Sequence, residues 1–144
     1  MVEPPGPKAR EMVVQDSRYV ATSTKILPVA AAHAHGGVVT DVDGNDFLDF
    51  SSGMAVLNLG HTHPRVVQAV KEQADRLIHF AGTDFYYAAQ VELARRLGNL
   101  APGDQDRKVF FSNSGTESVE AAMKLARWNT GRKQFVAFLG CFHG

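Results

Sequence analysis

The sequence predicts an α/β protein in which a small β-hairpin region precedes the first elements of a larger, mainly parallel-sheet domain. Three observations predict it. From Gly36 the apolar period is two, interrupted by Asp43-Gly44 and resumed at Phe47. After Pro64 the period becomes helical. Between Lys108 and Leu139 two short apolar runs flank one amphipathic segment, which is the pattern of a β-α-β unit with a right-handed crossover and parallel strands.

Taken in order, Met1 to Pro7 is rich in proline and reads as an extended, poorly ordered leader, and Arg10 to Val20 as a short helix. Val38, Thr40 and Val42 form one arm of the hairpin and Phe47 to Phe50 the other, with Asp43-Gly44 as the turn. Ser51-Ser52-Gly53 ends it, and Met54 to Leu59 is an apolar connector. Pro64 suits a first helical turn, where its missing N–H is no loss, and Val67, Val70, Ala74, Leu77 and Ile78 give a helix over 64–78. An aromatic loop, Phe85-Tyr86-Tyr87, leads to a helix carrying Val91, Ala94 and Leu97 that Gly98-Asn99 is expected to stop. Pro102-Gly103-Asp104 marks a turn. Lys108 to Ser112 and Gln134 to Leu139 are the expected strands, and Thr116 to Thr130 the helix between them, with Val119, Ala122, Met123 and Ala126 inward and Gly131 just past its end. The division expected is 1–55 for the hairpin region and 56–144 for the first part of the larger domain.

Composition limits the function. The 144 residues carry 15 Lys plus Arg against 15 Asp plus Glu, with no basic run, and this balance argues against a nucleic-acid surface. No apolar stretch approaches the ~20 residues a bilayer span needs. The start lacks the apolar core of a signal peptide. A single cysteine, Cys141, rules out an intrachain disulfide and points to a reducing, cytoplasmic setting. The chain stops at Cys141-Phe142-His143-Gly144, directly after an apolar run, where a parallel sheet requires a further covering helix. It is therefore expected to be a segment of a longer protein, and one that exposes a large apolar face on its own.

The chemistry concentrates at Phe111-Ser112-Asn113-Ser114-Gly115-Thr116-Glu117, where an expected buried strand meets a helix N-terminus. The first helical N–H groups lack intrahelical partners, the helix dipole is positive there, and Gly115 lets a ligand approach the backbone. Ser114 and Thr116 add hydroxyls. The set suits a phosphate monoester, and it matches neither the dinucleotide nor the triphosphate loop. Helix capping by Ser114 or Thr116 is the alternative that the local sequence leaves open. At the C-terminal edge of the next expected strand, Phe142 and His143 stand where ligands of open α/β sheets bind, and Phe142 offers either a stacking ring or plain core packing.

Several sharper readings are incomplete. His33-Ala34-His35 and His61-Thr62-His63 each supply two ligands, whereas a zinc site needs three or four. Cys141 with His143 resembles a thiol–imidazole dyad, but a small buried residue at a strand end is the simpler reading of the cysteine. Asp41, Asp43, Asp46 and Asp49 lie on a hairpin without the terminal Glu of a calcium loop and read as solvated charges. No metal is expected.

The runs Asp41 to Phe50 and Met54 to Pro64, the turn Ser112 to Glu117 with Glu120-Ala121-Ala122 beyond it, and Phe142-His143-Gly144 together resemble the class III aminotransferases, from about Gly36 onward and in the right order. Within that family the 4-aminobutyrate aminotransferases look most similar, chiefly through Met54 to His63. The resemblance implies the aspartate-aminotransferase-like fold (fold type I), pyridoxal 5′-phosphate (PLP) as cofactor, and usually a homodimer with a shared active site. It implies that Ser114, Gly115 and Thr116 form the cofactor-phosphate turn and that Phe142 stacks on the pyridine ring with His143 beside it. Met54 and Val56 match the substrate-pocket region, and Phe85 to Tyr87 a loop near the dimer interface. The substrates implied are an ω- or α-amino acid and a 2-oxo acid such as 2-oxoglutarate. None of the six lysines, Lys8, Lys25, Lys71, Lys108, Lys124 and Lys133, stands in the family's lysine motif. The Schiff-base lysine is expected downstream, and this segment alone is not expected to transaminate. Related alternatives are a PLP-dependent racemase or an ornithine-type aminotransferase. A non-catalytic phosphate-binding α/β module is the alternative of another class.

Overall fold

The computed structural model describes residues 2–21, 25, 27–103 and 107–143, which form two compact units, Met1–His79 and Phe80–Gly144. Asp104 of the expected turn and Gly144 of the final motif lie outside the described residues.

In the first unit, α1 (Pro7–Tyr19) starts three residues earlier than the sequence predicts. Pro7 occupies its first turn, and its N-cap Gly6 has no side chain to satisfy the free N–H groups. The cap comes instead from a residue far along the chain. The Asp43 carboxylate accepts from Lys8 N at 3.0 Å and Ala9 N at 2.9 Å. Gly6 makes room for it, since a Cβ there would lie 2.4 Å from Asp43 Cγ. The leader is not loose either, because Val2 N donates to Asn45 Oδ1 at 2.8 Å.

The hairpin is a three-stranded antiparallel meander in the order β1 (Ala31–His35), β2 (Val38–Asp41), β3 (Asp46–Leu48). β1 escaped the sequence reading because Ala31-Ala32-His33-Ala34-His35 has neither β-branched residues nor a contrast in polarity. It forms because Gly36-Gly37, with Gly36 at φ +56°, folds His35 opposite Val38 in a two-residue connection. The expected turn between β2 and β3 is wider than Asp43-Gly44. Asp41 N donates across the turn to Asn45 O at 2.9 Å and Gly44 N donates to Asp41 O at 3.1 Å, while Val42 N turns to Ala30 O at 2.8 Å instead of pairing with β3. Inside this turn Asp41 is 3% and Asn45 2% exposed. Asp41 is thus not a solvated charge: its carboxylate accepts from Asn45 N, Asn45 Nδ2 and Asp43 N. Burial by itself would raise the Asp41 pKa, but these hydrogen bonds, the Asn45 side chain first, outweigh it and hold the pKa below the usual carboxylate range.

A single helical turn, α2 (Ser52–Ala55), replaces part of the expected connector, and α3 (Pro64–Arg76) begins at Pro64 as predicted and ends two residues early, with Leu77 extended.

In the second unit α4 (Ala88–Leu100) runs through Gly98-Asn99 rather than stopping there, and α5 (Gly115–Thr130) closes on Gly131 in the left-handed conformation at φ +69°. The two expected strands are corrected. Residues 107–112 and 131–138 lie outside any ladder, and no parallel pair exists among the described residues. An extended run becomes a strand only when a neighbour takes up its N–H and C=O groups. The same lack of neighbours leaves Phe110 75%, Val136 98%, Phe138 79% and Trp128 91% exposed. Val119, one of the expected inward residues of α5, is 37% exposed.

Candidate functional site

The expected site residues fall in both units. In the second unit they begin at the start of α5. Ser114 is extended (φ −151°, ψ 161°), and its hydroxyl accepts from Glu117 N at 3.2 Å. Glu117 reaches back, its Oε2 accepting from Asn113 N at 2.5 Å. This is a capping box, with serine at the cap and glutamate three residues on. Of the two readings the local sequence leaves open for Ser114, capping is realised, and it acts on one N–H group only. Ser118 N donates to Ser114 O at 3.1 Å, as a normal helical bond. Gly115 N and Thr116 N have no partner among the described residues, and a Cβ on Gly115 would meet nothing within 4 Å. The opening in front of the helix is therefore lined by free backbone donors, with the positive end of the dipole behind them. Ser112 and Ser118 share a 2.5 Å hydrogen bond and are occupied with each other. An open depression of about 490 Å³ at this turn is lined by Phe111, Ser112, Asn113, Thr116 and Glu117 among others.

A phosphate ester fits this turn by the chemistry of its donors: two free N–H groups, the Thr116 hydroxyl, and an open approach over Gly115. The one acid in the first turn, Glu117, is tied to Asn113 N.

The other half of the expected cofactor set, Phe142 and His143, follows Gly140 (φ +78°) outside any helix or strand. Phe142 is 95% exposed, so it does not serve as core in this unit. Cys141 is exposed too, which corrects the buried reading: no element among the described residues covers it. No hydrogen bond among the described residues joins 141–143 to the 112–117 turn.

In the first unit Met54 and Val56 sit on and just after α2. The turn is left-handed: Ser52, Gly53, Met54 and Ala55 have φ of 51°, 60°, 64° and 63°. Left-handed helical backbone costs roughly 1–2 kcal/mol per non-glycine residue, because Cβ crowds the following carbonyl. Ala55 N bonds Ser51 O at 2.7 Å and Val56 N bonds Ser52 O at 3.0 Å, so the turn is closed like a helix of the opposite hand. Its outward residues are open, Met54 at 83% and Val56 at 75% exposure. Val56 also borders an apolar groove of about 520 Å³ against Val66, Val67 and Val70 of α3.

Sequence reasoning missed the group at the base of this turn. Asp49 lies on the first unit's inner side, its side chain 11% exposed beside His61 at 16%. Asp49 Oδ1 accepts from Ser51 N at 2.8 Å and Ser51 Oγ at 2.6 Å, and Oδ2 from Gly53 N at 2.9 Å and His61 Nε2 at 2.7 Å. The Ser51 hydroxyl, and the His61 ring after it, hold the Asp49 carboxyl far below the usual range. The available signal was an Asp followed two residues later by Ser, the spacing of a side-chain-closed turn. His61 is thereby assigned a partner. Among the described residues no group of three or more His, Cys, Asp or Glu is arranged to hold a metal ion, and no helix is long and apolar enough to cross a membrane.

Comparison with known proteins agrees with this arrangement of motifs. The family described as Aminotransferase class-III matches residues 19–144. The chain is 48% identical to the acetylornithine aminotransferase of Methanopyrus kandleri over 94% of its own length and 34% of that protein's. It is 37% identical to the isoleucine 2-epimerase of Lentilactobacillus buchneri over 95% of the chain and 31% of the relative. Among solved structures, an omega-transaminase from Sphaerobacter thermophilus superimposes with a TM-score of 0.85 at 34% identity, covering 98% of this chain and 33% of that one. The chain thus spans about a third of the length of the curated relatives it matches. It belongs to the class III aminotransferases.

Proposed function

We propose that this chain is the N-terminal part of a PLP-dependent class III enzyme that moves the amino group of an ω- or α-amino acid to a 2-oxo acid such as 2-oxoglutarate. The observation that carries the reading is the start of α5, where Gly115 N and Thr116 N stand free over an open approach in a chain of this family. There Ser114 fixes the helix start, Gly115 and Thr116 donate to the cofactor phosphate, and Phe142 stacks on its ring with His143 beside it. Met54 and Val56 line the substrate pocket. When bound, PLP supplies the aldehyde that takes the amino group and a ring that accepts electrons from the substrate carbon. The lysine that holds the cofactor and carries the proton lies downstream, so the 144-residue segment alone does not transaminate. Residues 1–55 belong to the small-domain region and 56–144 to the PLP-binding domain. A homodimer, with Phe85 to Tyr87 near its interface, completes the site, and the exposed Phe110, Val136 and Phe138 take their cover from the rest of the enzyme. The single cysteine suits a cytoplasmic setting. We assign 4-aminobutyrate as the first amino donor to try, from the Met54 to His63 run, with ornithine-type donors next.

A second reading, amino-acid racemisation or epimerisation, is favoured by the likeness to the isoleucine 2-epimerase. It differs in where the proton returns. Incubation of the full-length protein with PLP and each amino acid, with and without 2-oxoglutarate, separates the two. Glutamate formed only with 2-oxoglutarate supports transamination, and stereochemical inversion without it supports the second reading. Neither product, together with no pyridoxyl adduct in the intact mass after borohydride reduction, would leave a phosphate-binding module and overturn both.

A further inference from the structure

The left-handed turn α2 contains three non-glycine residues, Ser52, Met54 and Ala55, in a conformation that L-residues avoid. Strain of this kind persists only where the surroundings impose it. Apolar burial does not impose it, because Met54 and Val56 are largely exposed. The Asp49 carboxylate does. Each of its two oxygens accepts two donors, and three of the four come from Ser51 and Gly53, at the mouth of the turn. The fourth, His61 Nε2, is anchored from the other side, since His61 N donates to Gly36 O at 2.8 Å and Gly36 N donates to His61 O at 3.0 Å. Thr62, itself at φ +48°, donates its hydroxyl to Ala34 O at 3.0 Å. The turn is thus locked to the β1–β2 connection through Asp49. With both oxygens saturated, the carboxylate has no free lone pair directed at a substrate, and its effect is exerted through the backbone it holds.

We propose that Asp49 is a positioning residue for amino-substrate selection: by clamping the left-handed Ser52–Ala55 turn to His61, it fixes where Met54 and Val56 stand in the substrate pocket. This rests on the reading of Met54 and Val56 given above. Asparagine at this position would turn one oxygen into an N–H₂ group facing two donors, releasing the turn without changing side-chain size.

The test uses the full-length protein loaded with PLP, with cofactor content followed by its visible absorption. Asp49→Asn is expected to raise KM for the amino donor about tenfold while kcat and PLP affinity change little, the signature of lost substrate positioning. Adding Ala55→Gly to Asp49→Asn is expected to recover about a third or more of the loss, because glycine adopts this conformation without strain. A general structural defect would not respond to that second change. If Asp49→Asn does not yield soluble PLP-bound protein, Ser51→Ala, which removes one donor, is expected to raise KM in the same direction. Unchanged KM in whichever of these two variants is soluble, or a fall in PLP affinity that Ala55→Gly does not reverse, overturns the proposal. Met54→Ala separates the two layers. If it raises KM while Asp49→Asn does not, the pocket reading stands and the role of Asp49 falls. If it leaves KM unchanged, the pocket reading fails and takes the role of Asp49 with it.

Discussion

Asn45 in the first unit is 2% exposed, while Trp128 in the second is 91% exposed. A polar residue is inside where an apolar one is outside, an inversion of the usual preference. The first unit is organised by polar closure: Asp41 and Asn45 fill the β2–β3 turn, Asp43 caps α1, and Asp49 clamps α2. Each of these carboxylates is consumed by donors that the backbone would otherwise leave unpaired. In the second unit α5 is capped at both ends, but the runs outside its helices carry Phe110, Val136, Phe138 and Phe142 largely exposed. The difference teaches that an antiparallel meander can satisfy its own ladder within about 20 residues of chain, whereas a parallel sheet needs strands brought from far away and cover on both faces.

The comparison can be broken first at Asn45. Asn45→Ala removes the side-chain donor to Asp41 Oδ2 and the acceptor of Val2 N and is expected to destabilise the first unit by about 1–3 kcal/mol. A urea midpoint unchanged from the parent, in the full-length protein, would show that the polar closure is decorative. The second unit's counterpart is Thr116→Val. It is expected to weaken PLP binding by about 1–3 kcal/mol if the hydroxyl meets the phosphate in a desolvated site, with little effect on folding. Unchanged affinity in a spectroscopic titration would return Thr116 to an ordinary first-turn residue.

Phe142→Ala should shift the absorption of bound PLP and speed its loss, without the stability change that removal of a core phenylalanine brings. If neither the absorption nor the loss rate moves, the ring does not stack. The smallest effect is expected at Glu92, which pairs with Arg95 and Arg96 on the surface of α4, and whose pKa these two arginines, Arg95 first, lower to about 2. A depressed carboxylate pKa contributes stability that is fully present above about 4.5 and lost as pH falls toward 2. Because the pair is exposed, the contribution is small. Glu92→Gln should therefore flatten a shallow decline in helicity between those pH values and lower neutral-pH stability only slightly; a large loss at pH 7 would mean that α4 depends on the pair.

Local signals carried most of the helices. Pro64 marks one start, Gly131 marks one stop, and Ser114 was legible as the cap of α5, whereas Pro7, read as part of the leader, opens α1. The failures share a cause. Gly98-Asn99 did not end α4, because a glycine inside a helix costs only about 1 kcal/mol and the flanking helical residues outweigh it. The expected strands at 108–112 and 134–139 are correct as apolar runs and lack a ladder, which no residue within the run can supply.

The sequence by itself determined the family, the start of α3 and the serine cap that opens α5, because each rests on residues within a few positions of one another, where spacing and capping chemistry act. The tertiary structure decided the rest. That Asp43 caps a helix 34 and 35 residues away, that the His61 backbone bonds Gly36, and that Asp49 holds three non-glycine residues left-handed are facts about groups brought together by folding. A carboxylate looks the same in a sequence whether it faces water or four donors. Only the fold decides which, because hydrogen bonds are made by position in space.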